Sequence, residues 1–145
     1  MKLSTMSIGL ALLILALAVP AVSAAPDLII RTVDGPSDAF MKTEVVIDYH
    51  IKNIGADPAK DFILAFFLSK DNQISTSDIM LGQVKVASLG PGASKKGSVS
   101  LLIPRVIGKR GIKYYIGAVV DSSMVVKESN EWNNSGFDRD KIVIR

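Results

Sequence analysis

Between Asp121 and Asn134 the chain reads Asp-Ser-Ser-Met-Val-Val-Lys-Glu-Ser-Asn-Glu-Trp-Asn-Asn, which gathers three carboxylates, three carboxamides and the only tryptophan into fourteen residues. Such a cluster has three possible chemistries. Paired carboxylates such as Glu128 and Glu131 can hydrolyse a glycosidic bond when a cleft holds the sugar between them. Asp121, Glu128 and Glu131 together could supply oxygens to a hard cation. Alternatively, acids and amides in a short loop satisfy the amides and carbonyls of a turning backbone. The third role fits best, because the acids sit beside Asn130, Asn133 and Asn134 in a loop between two apolar segments. Trp132 is expected to cap the end of the core, with an aromatic platform for a sugar as the alternative. Asn133-Asn134-Ser135 is an N-x-Ser sequon, so Asn133 would carry a glycan in a host that glycosylates its exported proteins.

A second polar loop, Lys70 to Asp78, has oxygen-bearing side chains at Asp71, Gln73, Ser75 and Asp78. Calcium wants six to eight oxygens, which makes Asp71 and Asp78 candidate ligands. The loop lacks the central glycine and terminal glutamate of an EF-hand, so the simpler expectation is that both aspartates bond backbone amides and shape it. Cysteine is absent and His50 is the only histidine, which excludes disulfides and thiolate chemistry and leaves almost no basis for a zinc site. His50 is expected to be a solvated surface residue.

The first residues give an address. Lys2 precedes an apolar run from Ile8 to Val19, Pro20 interrupts it, and Val22-Ser23-Ala24 supplies small residues for cleavage. These are the parts of a secretory signal peptide, residues 1–24. The uncharged span from Leu3 to Pro26 also meets the rule of roughly 20 residues for crossing a bilayer, but Pro20 and the short leucine-rich centre favour cleavage. The domain is therefore expected outside the cytoplasmic membrane, secreted or at the cell surface, with no membrane span left after processing. Formal charge is 17 − 14 = +3, and loss of Lys2 makes it 16 − 14 = +2. That excess is too small for a nucleic-acid binder.

The polar loops must be positioned by strands. Leu28 to Val33 opens the series and stops at Asp34-Gly35-Pro36. Lys42 to Lys52 alternates, with Val45, Ile47, Tyr49 and Ile51 on one face. Phe62 to Ser69 is apolar on both faces: Phe62, Leu64, Phe66 and Leu68 on one, Ile63, Ala65 and Phe67 on the other. Either a neighbouring loop covers the second face, or Ile63 and Phe67 form an association patch. Leu81 to Val86, Lys96 to Ile103, Lys113 to Asp121 and Phe137 to Ile144 complete the set, and Gly108 to Gly111 reads as a basic hairpin tip. About seven short strands separated by Gly, Pro and Asn turns predict one all-β domain, an antiparallel two-sheet β-sandwich over residues 25–145.

The turn phrases also carry a resemblance. In order they are Pro26-Asp27-Leu28, Lys52-Asn53-Ile54-Gly55, Leu68-Ser69-Lys70-Asp71, Asp78-Ile79-Met80-Leu81-Gly82, Leu89-Gly90-Pro91-Gly92-Ala93-Ser94, Ile103-Pro104, and Asp121 followed by Glu128-Ser129-Asn130-Glu131-Trp132-Asn133-Asn134. Together they resemble the CARDB domain, the cell-adhesion-related domain of bacterial and archaeal surface proteins. The resemblance implies an immunoglobulin-like or fibronectin-like sandwich without catalytic residues, usually a module of large exported proteins. No enzyme or anchor follows the domain here, so a protein or cell-envelope partner is expected in trans, with self-association as a further option. The expected function is a non-enzymatic adhesion or interaction module, acting by strand-edge pairing or through Ile63, Phe67 and Trp132. The alternatives are a calcium- or carbohydrate-binding module and, behind them, a minor hydrolase using Glu128 and Glu131. No cofactor is expected, unless calcium binds.

Overall fold

The computed structural model describes residues 24–106 and 111–145. The expected signal peptide, apart from Ala24, and the basic tip at residues 108–110 lie outside the described residues. The first strands are β1 (Leu28–Asp34), β2 (Asp38–Ala39), β3 (Glu44–Asn53), β4 (Ala59–Ser69) and β5 (Ile79–Leu89). They are followed by β6 (Ser94–Leu102), β7 (Ile112–Val120), β8 (Ser135–Phe137) and β9 (Ile142–Ile144). One sheet has the order β1-β3-β6; the other has the order β2-β9-β7-β4-β5, with β8 alongside β7. The protein is an all-β sandwich.

The alternating strands turn their apolar sides toward each other. Val45, Ile47, Tyr49 and Ile51 of β3 are buried against Phe62, Leu64, Phe66 and Leu68 of β4 and Tyr114, Ile116, Ala118 and Val120 of β7. Each large aliphatic or aromatic side chain removed from water in this way contributes about 2 kcal/mol. The Tyr49 and Phe66 rings meet across the core at 5.6 Å in a tilted pair.

Three details differ from the sequence reading. Among the described residues there are nine strands, not about seven, because β2 is an extra two-residue strand and the last expected strand is split. The split has a register cause: β8 pairs with the second half of β7 and β9 with the first half, and Asp138 to Lys141 loop out between them. Pairing is not wholly antiparallel, since β2 runs parallel to β9. This strand takes the chain briefly into the large sheet before β3 returns it to the small one.

The second apolar face of β4 is covered. Phe67 is fully buried, and with Ala65 it forms a small outer cluster closed by Ile74 from the β4–β5 loop and by Ile63, Tyr115 and Val119 at its margin. Gly117, paired with Phe67 across the ladder, makes room for this lid: a Cβ there would come within 2.4 Å of the Ile74 side chain. Gly117→Val is therefore expected to expel Ile74, cost about 1–3 kcal/mol of stability and raise binding of a hydrophobic dye. A variant with wild-type melting and dye binding would show that Ile74 is not seated there.

Candidate functional site

The chain from Asp121 to Asn134 leaves β7, crosses the end of the sandwich and returns as β8. Two backbone positions within it, Asp121 and Met124, take positive φ (50° and 53°), and carboxylates hold the resulting bends. The Asp121 carboxylate accepts from the amides of Val125 (3.1 Å) and Val126 (2.9 Å), and Glu131 accepts from the Glu128 amide (2.8 Å). Asn130 accepts from the Trp132 amide (3.0 Å). These are local braces of the kind expected from the sequence.

Glu128 acts over a longer reach. One of its oxygens accepts from the Leu28 amide at 2.5 Å and the other from the Asn134 carboxamide at 2.6 Å, tying the loop to the first residue of β1. Asn133 donates to Asp27 (2.8 Å), and the Ser129 amide donates to the Pro26 carbonyl (2.9 Å). The carboxamide nitrogen of Asn133, the atom that a glycan would occupy, is thus engaged with Asp27, and glycosylation of the folded domain would break that bond.

Burial raises the Glu128 pKa from its ordinary 4.5 to about 7, helped by the charges of Glu131 and Asp121 and opposed by the bonds from Leu28 and Asn134. Burial likewise raises Asp121, against the bonds from Val126 and Val125. A perturbed carboxylate can mark a catalytic site, but here both oxygens of Glu128 are spent on chain-to-chain bonds.

The remaining predicted residues are scattered. Trp132 does not cap the core: its side chain is 95% exposed. It projects from the braced loop because the residues on either side are held, Glu131 by Glu128 and Asn133 by Asp27. Phe67 is no surface anchor, being buried under Ile74, and Ile63 is half-buried. Asp71 accepts from the Gln73 amide and Asp78 from the Ser75 amide, both at 2.9 Å, which is the loop-shaping role. No group of three or more acidic, His or Cys side chains among the described residues is placed to hold a metal ion. His50 is half-buried rather than solvated, and burial, followed by nearby Lys96, Arg31 and Lys52, lowers its pKa.

The strand edges supply a feature that residue patterns alone do not locate. β5 is the outer strand of the large sheet, eleven residues long, with Lys85 as its only charge. Its outward backbone groups have no partner among the described residues, apart from the Leu89 carbonyl, which accepts from Asn53. The other edges are shorter or more charged: β2 has two residues, β6 carries Lys95 and Lys96, and β1 is bulged at Arg31, while β5 is itself bulged at Leu81 and regular from Gly82 to Leu89.

With this geometry in hand, the family comparison is direct. The CARDB family model matches residues 25–136. The chain belongs to the CARDB family. The CARDB domain of the PF1109 protein of Pyrococcus furiosus, solved in complex with di-metal ions, is 21% identical with a TM-score of 0.61, over 83% of this chain and 94% of that one. A solution structure of the same domain gives 23% identity and a TM-score of 0.59, over 83% and 96%. A domain of a Methanosarcina acetivorans protein described as a cell surface protein gives 19% and 0.56, over 83% and 93%. At these identities the likeness is one of fold. No curated protein matches the chain. The Methanosarcina relative shows such a domain within a cell surface protein, and no helix among the described residues of this chain is long and apolar enough to cross a membrane.

Two anchors of this CARDB domain were not singled out from sequence. Asn53, read there only as part of a turn, is fully buried. Its Oδ1 accepts from the amides of Asp27 (3.1 Å) and Gly55 (3.0 Å), and its Nδ2 donates to the carbonyls of Asp57 (2.7 Å) and Leu89 (3.0 Å). Asp138, in the jog between β8 and β9, accepts from the amides of Gly35 (2.9 Å) and Asp140 (3.0 Å). The only advance signal was position: each polar residue directly follows or ends a strand.

Proposed function

We propose that this CARDB domain is an exported, cell-surface interaction module that binds an envelope protein by adding that protein's strand to the open edge of β5. The observation that carries the reading is the β5 edge itself, eleven residues with one lysine and no partner strand among the described residues on its outer side. A row of unpaired backbone donors and acceptors is a ready template for strand addition, in which main-chain bonds give affinity and alternate side chains give selectivity. Met80 and Gln83 are exposed on this strand and would contribute to selectivity. Export is supported by the signal-peptide pattern of residues 1–24 and by the Methanosarcina relative's being part of a cell surface protein.

The test is capture from detergent-solubilised envelope of the source cells, followed by hydrogen exchange on the complex. Added protection confined to residues 79–89 is expected. Met80→Lys combined with Gln83→Lys should abolish capture without lowering the melting temperature, since edge lysines repel an incoming strand. Equal capture by the double variant, or protection elsewhere on the domain, would refute strand addition at β5.

A further inference from the structure

Beside Trp132 lies a cleft of about 220 Å³ on the outer face of the large sheet. The β4–β5 loop lines one side with Ser75 and Thr76, and the end of the braced loop lines the other with Glu131 and Asn134. Ile74, the residue that covers Phe67, also borders it. The cleft therefore combines an apolar surface, a rim of hydroxyl, carboxylate and carboxamide groups, and an indole standing beside it.

We propose that this cleft is a saccharide subsite, with Trp132 as its stacking platform and a neutral or amino sugar as its ligand. An indole left 95% in water forgoes the burial that normally places tryptophan in a core. Here the exposure is imposed by a fixed loop. Trp132 follows an amide brace at Asn130, Glu131 is bonded to Glu128, and Asn133 and Asn134 are bonded to Asp27 and Glu128. The Asn134 carbonyl also accepts from the Val120 amide (2.9 Å), joining the loop's end to β7. The backbone that carries the indole therefore loses little freedom when the site binds, which is what preorganisation contributes to affinity.

The chemistry of the rim selects the class of ligand. A pyranose has an apolar C–H face that can lie on the indole and hydroxyls that reach outward to Ser75, Thr76 and Glu131. Pockets for small molecules join an apolar surface to a few placed polar groups in this manner. The cleft's only charged lining residue is Glu131, so acidic sugars are disfavoured and neutral or amino sugars are accepted. The site does not use the β5 edge, and its ligand does not depend on strand addition there.

Trp132 is the sole tryptophan, so its fluorescence reports on the subsite alone. The full chain would be titrated to tens of millimolar with chitotetraose, cellotetraose, mannotetraose and tetragalacturonate, with acrylamide quenching measured at each point. A blue shift and reduced quenching are expected with at least one neutral or amino oligosaccharide and not with tetragalacturonate. Calorimetry should find that binding lost in Trp132→Ala and weakened several-fold in Ser75→Ala/Thr76→Ala, both of which alter exposed residues and should melt as wild type does. No response to any of the first three sugars would overturn the proposal, as would a response only to tetragalacturonate or unchanged binding by Trp132→Ala. Protection by an envelope protein alone, persisting after its glycans are removed, would assign Trp132 to a protein interface and overturn it equally.

Discussion

Replacing Glu128 by alanine is expected to destabilise the domain by about 2–4 kcal/mol, read from urea unfolding at pH 6, because a buried amide and a carboxamide lose their shared acceptor. The Leu28 amide donates to Glu128 across 100 residues of sequence, at the point where β1 begins. Without the carboxylate this donor has no replacement partner in the local geometry, and the N-terminal strand is held less firmly against the loop. Glu128→Gln should behave differently. Glutamine keeps one oxygen for Leu28, and its amide can face Asn134, whose own Oδ1 is buried without a partner as oriented here. Turning the Asn134 carboxamide over would present that oxygen to residue 128.

The same residue gives the domain a pH dependence whose sign can be worked out. Glu128 titrates at about 7 in the folded chain and at its ordinary 4.5 when unfolded, so between those values the folded state holds the extra proton. Stability is then highest below pH 4.5 as far as this group is concerned, and falls as pH rises through 7. Glu128→Gln, which mimics the neutral acid, should match the wild type near pH 5 and exceed it near pH 8. The raised Asp121 is present in both proteins, so their difference isolates Glu128. An unchanged stability–pH profile in the Gln variant would rule out Glu128 as the titrating group.

Asn53→Ala is expected to cost about 3–4 kcal/mol, since one fully buried side chain supplies four hydrogen bonds and leaves groups behind that water does not reach. Asn53→Asp provides the sharper comparison. Aspartate retains an acceptor for Asp27 and Gly55 but turns its second oxygen toward the carbonyls of Asp57 and Leu89. Its stability should therefore be no better than that of alanine at pH 7 and should recover on acidification, when a protonated carboxyl can donate to one of those carbonyls. A near-wild-type Asn53→Asp at neutral pH would mean that the two carbonyl contacts carry no energy. Asn53 and Glu128 hold successive residues, Asp27 and Leu28, so their losses should not add independently.

The sequence alone determined the all-β class, the strands that build the core, and the structural character of the Asp121–Asn134 loop. These follow from local rules: a two-residue period puts Tyr114, Ile116, Ala118 and Val120 on one face whatever lies opposite, and carboxylates near turning backbone find amides within a few residues. Tertiary structure decided everything that depends on residues distant in sequence. Phe67 is buried because Ile74 folds back over it and Gly117 leaves space, a coincidence of three separate segments. Trp132 is exposed because Asp27 and Glu128 fix its neighbours, although its composition alone favoured a place in the core. Asn53 becomes a hub only when the N-terminus, its own turn and the end of β5 meet around it. The open β5 edge exists only in the sheet order, for a strand's period says which face it buries and nothing about which neighbour it lacks.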